Sequence, residues 1–179
     1  MKPTIIYVSG APGSGKTTLA KILSEQLYLP HISSDLVHGS IAFSQPDHDR
    51  PQVINEVFVP YLVSMAQLGM SFVVDHVLQY DIAKETVIDM LKEHANVLLV
   101  HTQSSQPIER YVDRITNSTT PSVVSRKAML LERAVSHSNN LHKTAVPADL
   151  GIPVITVVTD NEYLPSIDEV VEFITEYRT

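Results

Sequence analysis
The chain of 179 residues contains no cysteine and no tryptophan, is 44% apolar and 18% charged, and carries a formal charge of −7. Its length predicts one domain over 1–179 with a core that needs no covalent staples, and the lack of cysteine excludes a disulfide framework, a thiolate zinc site and a cysteine nucleophile. No apolar run reaches the roughly 18 residues that cross a bilayer, and the opening MKPTIIYVSG has no signal-type cleavage site, so the expectation is a soluble, cytoplasmic protein.

In chain order, TIIYVS at 4–9 is a short apolar run ended by Gly10, the pattern of a buried strand. It runs directly into Gly10-Ala11-Pro12-Gly13-Ser14-Gly15-Lys16-Thr17, the full G-x-x-x-x-G-K-T sequence of a phosphate-binding loop. Glycines let the backbone curl so that successive N–H groups face phosphate oxygens. The helix that follows adds its positive N-terminal end. Lys16 reaches the β- and γ-phosphates, and the Thr17 hydroxyl is placed to ligate Mg²⁺. Residues 15–28 supply that helix, with Leu19, Ile22, Leu23 and Leu27 on one face. The nucleotide-binding run is read as Gly10, Ala11, Pro12, Gly13, Ser14, Gly15, Lys16, Thr17 and Thr18. No N-K-x-D-type guanine reader occurs in the sequence, which favours ATP.

Residues 30–33 form a short second strand, and Asp35 follows it. Ligands of open α/β sheets sit beyond the carboxyl ends of the strands. Asp35 would there take the proton of an attacking hydroxyl; the other reading makes Ser34 or Asp35 the cap of a helix over 36–42. Segment 38–51, with Pro46 and Pro51, reads as a polar substrate-side loop carrying Arg50. Residues 52–68 are helical, kinked at Pro60 and ended by Gly69. Strand 71–75 ends in Asp75, which either holds Mg²⁺, directly or through water, or closes an ordinary turn. The next residue is His76 rather than a water-activating Glu, which favours transfer over hydrolysis.

A helix over 81–93 leads to a strand over 97–101. Helices over 106–116 and 121–137 flank the polar turn NSTTP. Residues 106–145 carry six Lys or Arg against three acids, a local surplus in an acidic chain that points to a small anionic ligand. Arg110 and Arg114 lie four apart on one helix, and Arg126 and Arg133 on the next. Their forked groups suit phosphate oxygens, and the alternative is surface pairing with Glu109 or Asp113. A strand over 154–158 and a helix over 166–177 close the chain. Five short apolar strands alternating with helices predict a parallel sheet covered on both faces.

The segments GAPGSGKTTLAKILSEQL, HISSDLVHGSI, FVVDHVLQ and IERYVDRI together resemble the small P-loop kinases of the AAA-type predicted-kinase group. In layout the chain is similar to the chloramphenicol phosphotransferase-like family within it. The resemblance implies a three-layer α/β fold with a five-stranded parallel sheet in the order 2-3-1-4-5 and a helical lid over 106–145. It implies a substrate-side region over 36–70 and Mg-ATP-dependent phosphorylation of a hydroxyl on a small molecule. It matches Lys16 and Thr17 to the phosphate and metal residues and Asp35 to the catalytic acid. Arg110, Arg114 and Arg126 fall in its lid region. Asp75 joins Thr17 as the expected metal pair. His76 stands where the antibiotic kinase has an Asp, so the reaction is carried over and the antibiotic is not. Two other classes stay open: a nucleotide-operated ATPase or switch acting on a protein partner, and a nucleic-acid 5′-end kinase, which the net charge disfavours.

Overall fold
The computed structural model describes residues 2–44, 50–78, 87–119 and 121–178, with the side chains of 42–44, 50, 121 and 122 outside that description. Five strands carry the fold: β1 (Thr4–Gly10), β2 (His31–Ser33), β3 (Phe72–Asp75), β4 (Asn96–Gln103) and β5 (Val154–Val158). All pair in parallel, in the order β2-β3-β1-β4-β5. The expected order therefore holds, and β1 lies in the centre with its carboxyl end between those of β3 and β4.

The alternation of side chains along buried strands builds two cores. Ile6, Val8, Val73, Leu98 and Val100 face one way, against α1 (Lys16–Leu27) and α10 (Ile167–Glu176). Leu19, Ala20, Leu23 and Leu27 of α1 supply its buried stripe. Helix α10 begins with a capping box, Ser166 and Glu169 each bonding the other's backbone N–H. Ile5, Tyr7, Phe72, Val74, Val97 and Leu99 face the other way, against Phe58, Leu62 and Leu91.

Between β2 and β3 the chain is more helical than expected. Helix α2 (Ser34–Ser44) replaces the first half of the polar loop assigned to 38–51, and α3 (Arg50–Val53) opens a second helical run; residues 45–49 and the side chain of Arg50 lie outside the described residues. The run continues as a π-helical stretch over Ile54–Phe58 and then α4 (Val59–Gln67). Pro60 sits at the start of α4 and produces the wide turn rather than a break. Its ring would crowd the Glu56 carbonyl in a regular α-turn, and the Val59 N–H instead reaches the Ile54 carbonyl. Gly69 ends the run as expected, at φ 77°, with Met70 N–H bonded to the Met65 carbonyl.

After β3, α5 (Asp89–His94) is the described remainder of the expected 81–93 helix, of which 81–86 lie outside the described residues. Beyond β4 come α6 (Pro107–Thr116), α7 (Pro121–Val124), α8 (Lys127–Asn139) and α9 (Leu141–Thr144). The expected 121–137 helix is thus divided, and Arg126 occupies the turn before α8 rather than its face. Tyr111 and Ile115 of α6 pack on Ala134 of α8 in a small core of their own. Among the described residues no helix is long and apolar enough to cross a membrane.

Leu23 is fully buried in the α1 core, whereas Leu68 is 78% exposed. Urea denaturation should show Leu23→Ala losing about 2–5 kcal/mol and Leu68→Ala less than about 0.5 kcal/mol; equal losses would mean that α1 does not dock as described.

Candidate phosphate-binding and transfer site
The turn from β1 to α1 is shaped by three glycines, and each touches a different element. Gly10, Gly13 and Gly15 have φ of 150°, 86° and 83°. A Cβ on Gly10 would collide with the Thr102 hydroxyl and carbonyl, and one on Gly13 with the Pro107 carbonyl. A Cβ on Gly15 would lie 3.0 Å from the Thr159 hydroxyl oxygen. The ends of β4 and β5 and the first residue of α6 therefore close on the loop.

Hydrogen bonds hold the same contacts. Ser14 Oγ and Thr102 Oγ1 are 2.6 Å apart, and the Thr102 hydroxyl donates to the Ser9 carbonyl at 3.1 Å. The Thr159 hydroxyl donates to the Ser14 carbonyl at 2.8 Å. Ser14 itself is fully buried, so it shapes the loop from behind. Gly15 precedes the first turn of α1 in a left-handed conformation, and its carbonyl takes the Leu19 N–H. Lys16 and Thr17 start the helix, partly exposed, where its dipole favours an anion.

Asp75 ends β3, directly paired with Val8 of β1 and Ser33 of β2. Its strand parity puts it on the α1 side of the sheet with Val73. The residue is 3% exposed, and His31 Nε2 lies 4.0 Å from its carboxylate. Burial holds that imidazole below its ordinary pKa, opposed by Asp75 and reinforced by Lys21. A buried carboxylate partnered so loosely, with a threonine hydroxyl at the head of the neighbouring helix, is a donor set that suits Mg²⁺ completed by phosphate oxygens and water. Among the described residues no group of three or more His, Asp or Glu forms a metal cage by itself.

His76 turns to the opposite face. Its Nδ1 lies 2.7 Å from the Tyr7 hydroxyl, and its ring meets the edge of Phe58 at 5.5 Å. Burial, with Asp75 adding, raises the Tyr7 pKa well above its usual value, so the phenol keeps its proton. Asp35 lies in the first turn of α2, exposed, two residues past the end of β2.

The three lid arginines part company. Arg110 is joined to the end of β5: its Nη1 donates to the Thr159 carbonyl and hydroxyl, each at 3.1 Å, and to Ser104 Oγ at 3.2 Å, with Asp160 Oδ1 at 3.8 Å. The pairing with Glu109 or Asp113 allowed by the sequence is thus replaced by one with Asp160. Arg114 lies over the Tyr111 ring at 5.5 Å. Arg126 precedes α8. Sequence reasoning missed Thr102, Pro107 and Thr159 altogether; the one signal, for Thr102 and Thr159, is a place at or just beyond a strand end, where an open parallel sheet gathers its ligands, while Pro107 opens α6. A groove of about 380 Å³ lined by Lys2, Asn96, Gly151 and Tyr177 opens at the other end of the sheet and is remote from this chemistry.

Comparisons with known proteins agree with this geometry. A family described as an AAA domain matches residues 5–136. A stretch of 45 residues is 49% identical to an adenylate kinase of Chlamydia trachomatis serovar L2, taking in 25% of this chain and 18% of that enzyme, so the chain matches less than a fifth of that relative's length. A solved candidate kinase of Chloroflexus aurantiacus superposes with a TM-score of 0.74 at 20% identity, covering 100% of both chains. A gluconokinase of Sinorhizobium meliloti does so with a TM-score of 0.55 at 19% identity, covering 98% of this chain and 94% of its own. The chain shares the fold of these two solved structures.

Two measurements probe the site's construction. Gly13 and Gly69 share a left-handed φ, but nothing lies within 4 Å of a Cβ on Gly69. Gly69→Ala should therefore show only the backbone cost, about 1 kcal/mol, and Gly13→Ala a clearly larger one in the same urea titration; equal costs would remove the Pro107 contact. The second concerns His101, 2% exposed, whose pKa burial lowers against the raising effect of its hydrogen bond to the Ala145 carbonyl. The unfolded imidazole titrates near 6.5, so below that value the unfolded chain binds more protons. Stability present above about pH 6.5 should then decline as pH falls towards the folded value, and His101→Asn should flatten that decline; an unchanged slope would contradict it.

Proposed function
The chain belongs to the AAA domain family, and within it we propose an ATP-dependent phosphotransferase that moves the γ-phosphoryl group of Mg-ATP to a hydroxyl of a small molecule. The observation that carries this reading is the cradle at Gly10–Thr17, with left-handed glycines ahead of an α-helix and a buried carboxylate ending the adjacent strand. Bound Mg-ATP supplies the transferable phosphoryl group and the cation that neutralises it.

The chain's own residues divide the remaining work. Main-chain N–H groups of Gly13 and of Gly15 to Thr18 hold the β- and γ-phosphate oxygens, since Pro12 has no N–H and that of Ser14 is bonded to the Ala11 carbonyl, and Lys16 adds a point charge. The Thr17 hydroxyl and the Asp75 carboxylate hold Mg²⁺. Asp35, beyond the end of β2, orients the acceptor hydroxyl and takes its proton as the oxygen attacks. Arg114 and Arg126 bring positive charge to the phosphoryl group when the 106–145 region closes, which also excludes water. His76, pinned by Tyr7 and Phe58 on the face away from Asp75, takes the position after Asp75 where a Glu would favour hydrolysis. A small-molecule acceptor suits the chain better than a polymer, since an acidic chain has little to offer a polyanion.

The test is ADP release with Mg-ATP across hydroxylated metabolites, nucleosides and antibiotics. An acceptor should raise release by at least about tenfold over the acceptor-free rate, and Asp35→Asn should keep ATP affinity while losing about 10²–10⁴-fold in transfer. Hydrolysis indifferent to every acceptor would favour the ATPase reading, and full transfer by Asp35→Asn would remove Asp35 from the mechanism.

A further inference from the structure
The interactions behind the phosphate loop form a directed series. Asp160 Oδ1 accepts from Ser104 Oγ at 2.7 Å and from the Ser105 N–H at 3.1 Å, which fixes it beside the Arg110 guanidinium. Arg110 Nη1 donates to the Thr159 hydroxyl oxygen, and that hydroxyl donates to the Ser14 carbonyl at 2.8 Å, with the Gln103 carbonyl a second acceptor at 3.3 Å. A cation donating to a hydroxyl oxygen polarises its O–H and strengthens the bond that the hydroxyl donates in turn. Thr159 is 8% exposed, so water competes little for this position.

The consequence lies in one peptide plane. In a trans peptide the carbonyl and the following N–H point in opposite directions. Thr159 draws the Ser14 carbonyl out of the back of the loop, which turns the Gly15 N–H towards its concave side. The same hydroxyl would sit tightly, at 3.0 Å, against a Cβ on Gly15, whose φ of 83° already favours glycine. The contact thus reinforces the glycine at 15 as well as setting the direction of its N–H.

We infer that Thr159 and Arg110 are positioning residues that orient the Ser14–Gly15 peptide for phosphate, so that Arg110 acts on bound nucleotide through Thr159 rather than by touching the transferred phosphoryl group. The inference rests on the phosphotransferase reading and differs from it at one point: Arg110 leaves the lid arginines and joins the loop. It also makes the placing of α6 on β5 a determinant of nucleotide affinity, because Arg110 is carried by α6 and Thr159 by the end of β5.

The experiment is calorimetric titration of Mg-ATP and Mg-ADP into the wild-type chain, Arg110→Met, Thr159→Val, Thr159→Ser and the double variant Arg110→Met/Thr159→Val, each with its thermal midpoint. Both single variants should weaken ATP and ADP by the same factor, roughly tenfold, the typical effect of a hydrogen bond to a charged group. Thr159→Ser, which keeps the hydroxyl, should restore affinity. The double variant should bind no more weakly than either single one, as residues acting in series do. Three results would overturn the inference: Arg110→Met weakening ATP far more than ADP, Thr159→Val binding like the wild type, or Thr159→Ser failing to rescue despite a wild-type midpoint. A wild-type chain that binds neither nucleotide would instead defeat the phosphotransferase reading, and this inference with it.

Discussion
The site depends on a turn that no side chain can enter. Gly10, Gly13 and Gly15 meet Thr102, Pro107 and Thr159, and a Cβ at the first two would collide with backbone or hydroxyl oxygens. The shape of the loop is therefore not a property of its eight residues alone. It is set where β1, β4, β5 and α6 converge, and the parallel sheet brings about that convergence by ending all its strands on one side. Threonine is well suited to the two strand ends. It is short, tolerates a strand, and carries a hydroxyl that reaches a loop oxygen or carbonyl.

Strand parity then divides the chemistry. Asp75 and His76 are neighbours in sequence yet serve opposite faces. Asp75 turns to the α1 side, where the phosphate loop begins its helix. His76 turns to the core containing Phe58 and is held by a Tyr7 hydroxyl that burial keeps protonated. In the proposed enzyme this separates a metal-holding carboxylate from that imidazole by one peptide unit. Ser33 pairs with Asp75, bringing the end of β2 level with the end of β3, and the proposal places Asp35 on the acceptor side on that ground.

Much of this was legible in the sequence, for identifiable reasons. Strands such as TIIYVS and VLLV are short and apolar, so their type follows from burial on both faces. The phosphate loop is local, and its glycines declare their backbone geometry. The helical run before β3 was foreseen, but its π-helical stretch was not, since the response of a helix to Pro60 depends on what packs around it. The polar stretch 38–44 reads as loop, with a helix over 36–42 the alternative, because Ser and Gly lower propensity; the stretch is helical, and Val37 packs against the second core. The tie from Arg110 to Thr159 spans 49 positions of sequence, and no local pattern encodes such a pair. An arginine four residues from another looks the same whether it faces phosphate or a strand end.

The central claim is that a main-chain cradle grips the phosphate tail of a nucleotide. Displacement of bound Mg-ATP by inorganic tripolyphosphate, followed by titration calorimetry, tests it most directly, because tripolyphosphate offers the tail without the base or sugar. The account predicts saturable binding of Mg-ATP and competition by tripolyphosphate at one site, both lost in Lys16→Ala. Heat from Mg-ATP that tripolyphosphate leaves untouched, or no heat from a folded protein, would contradict it.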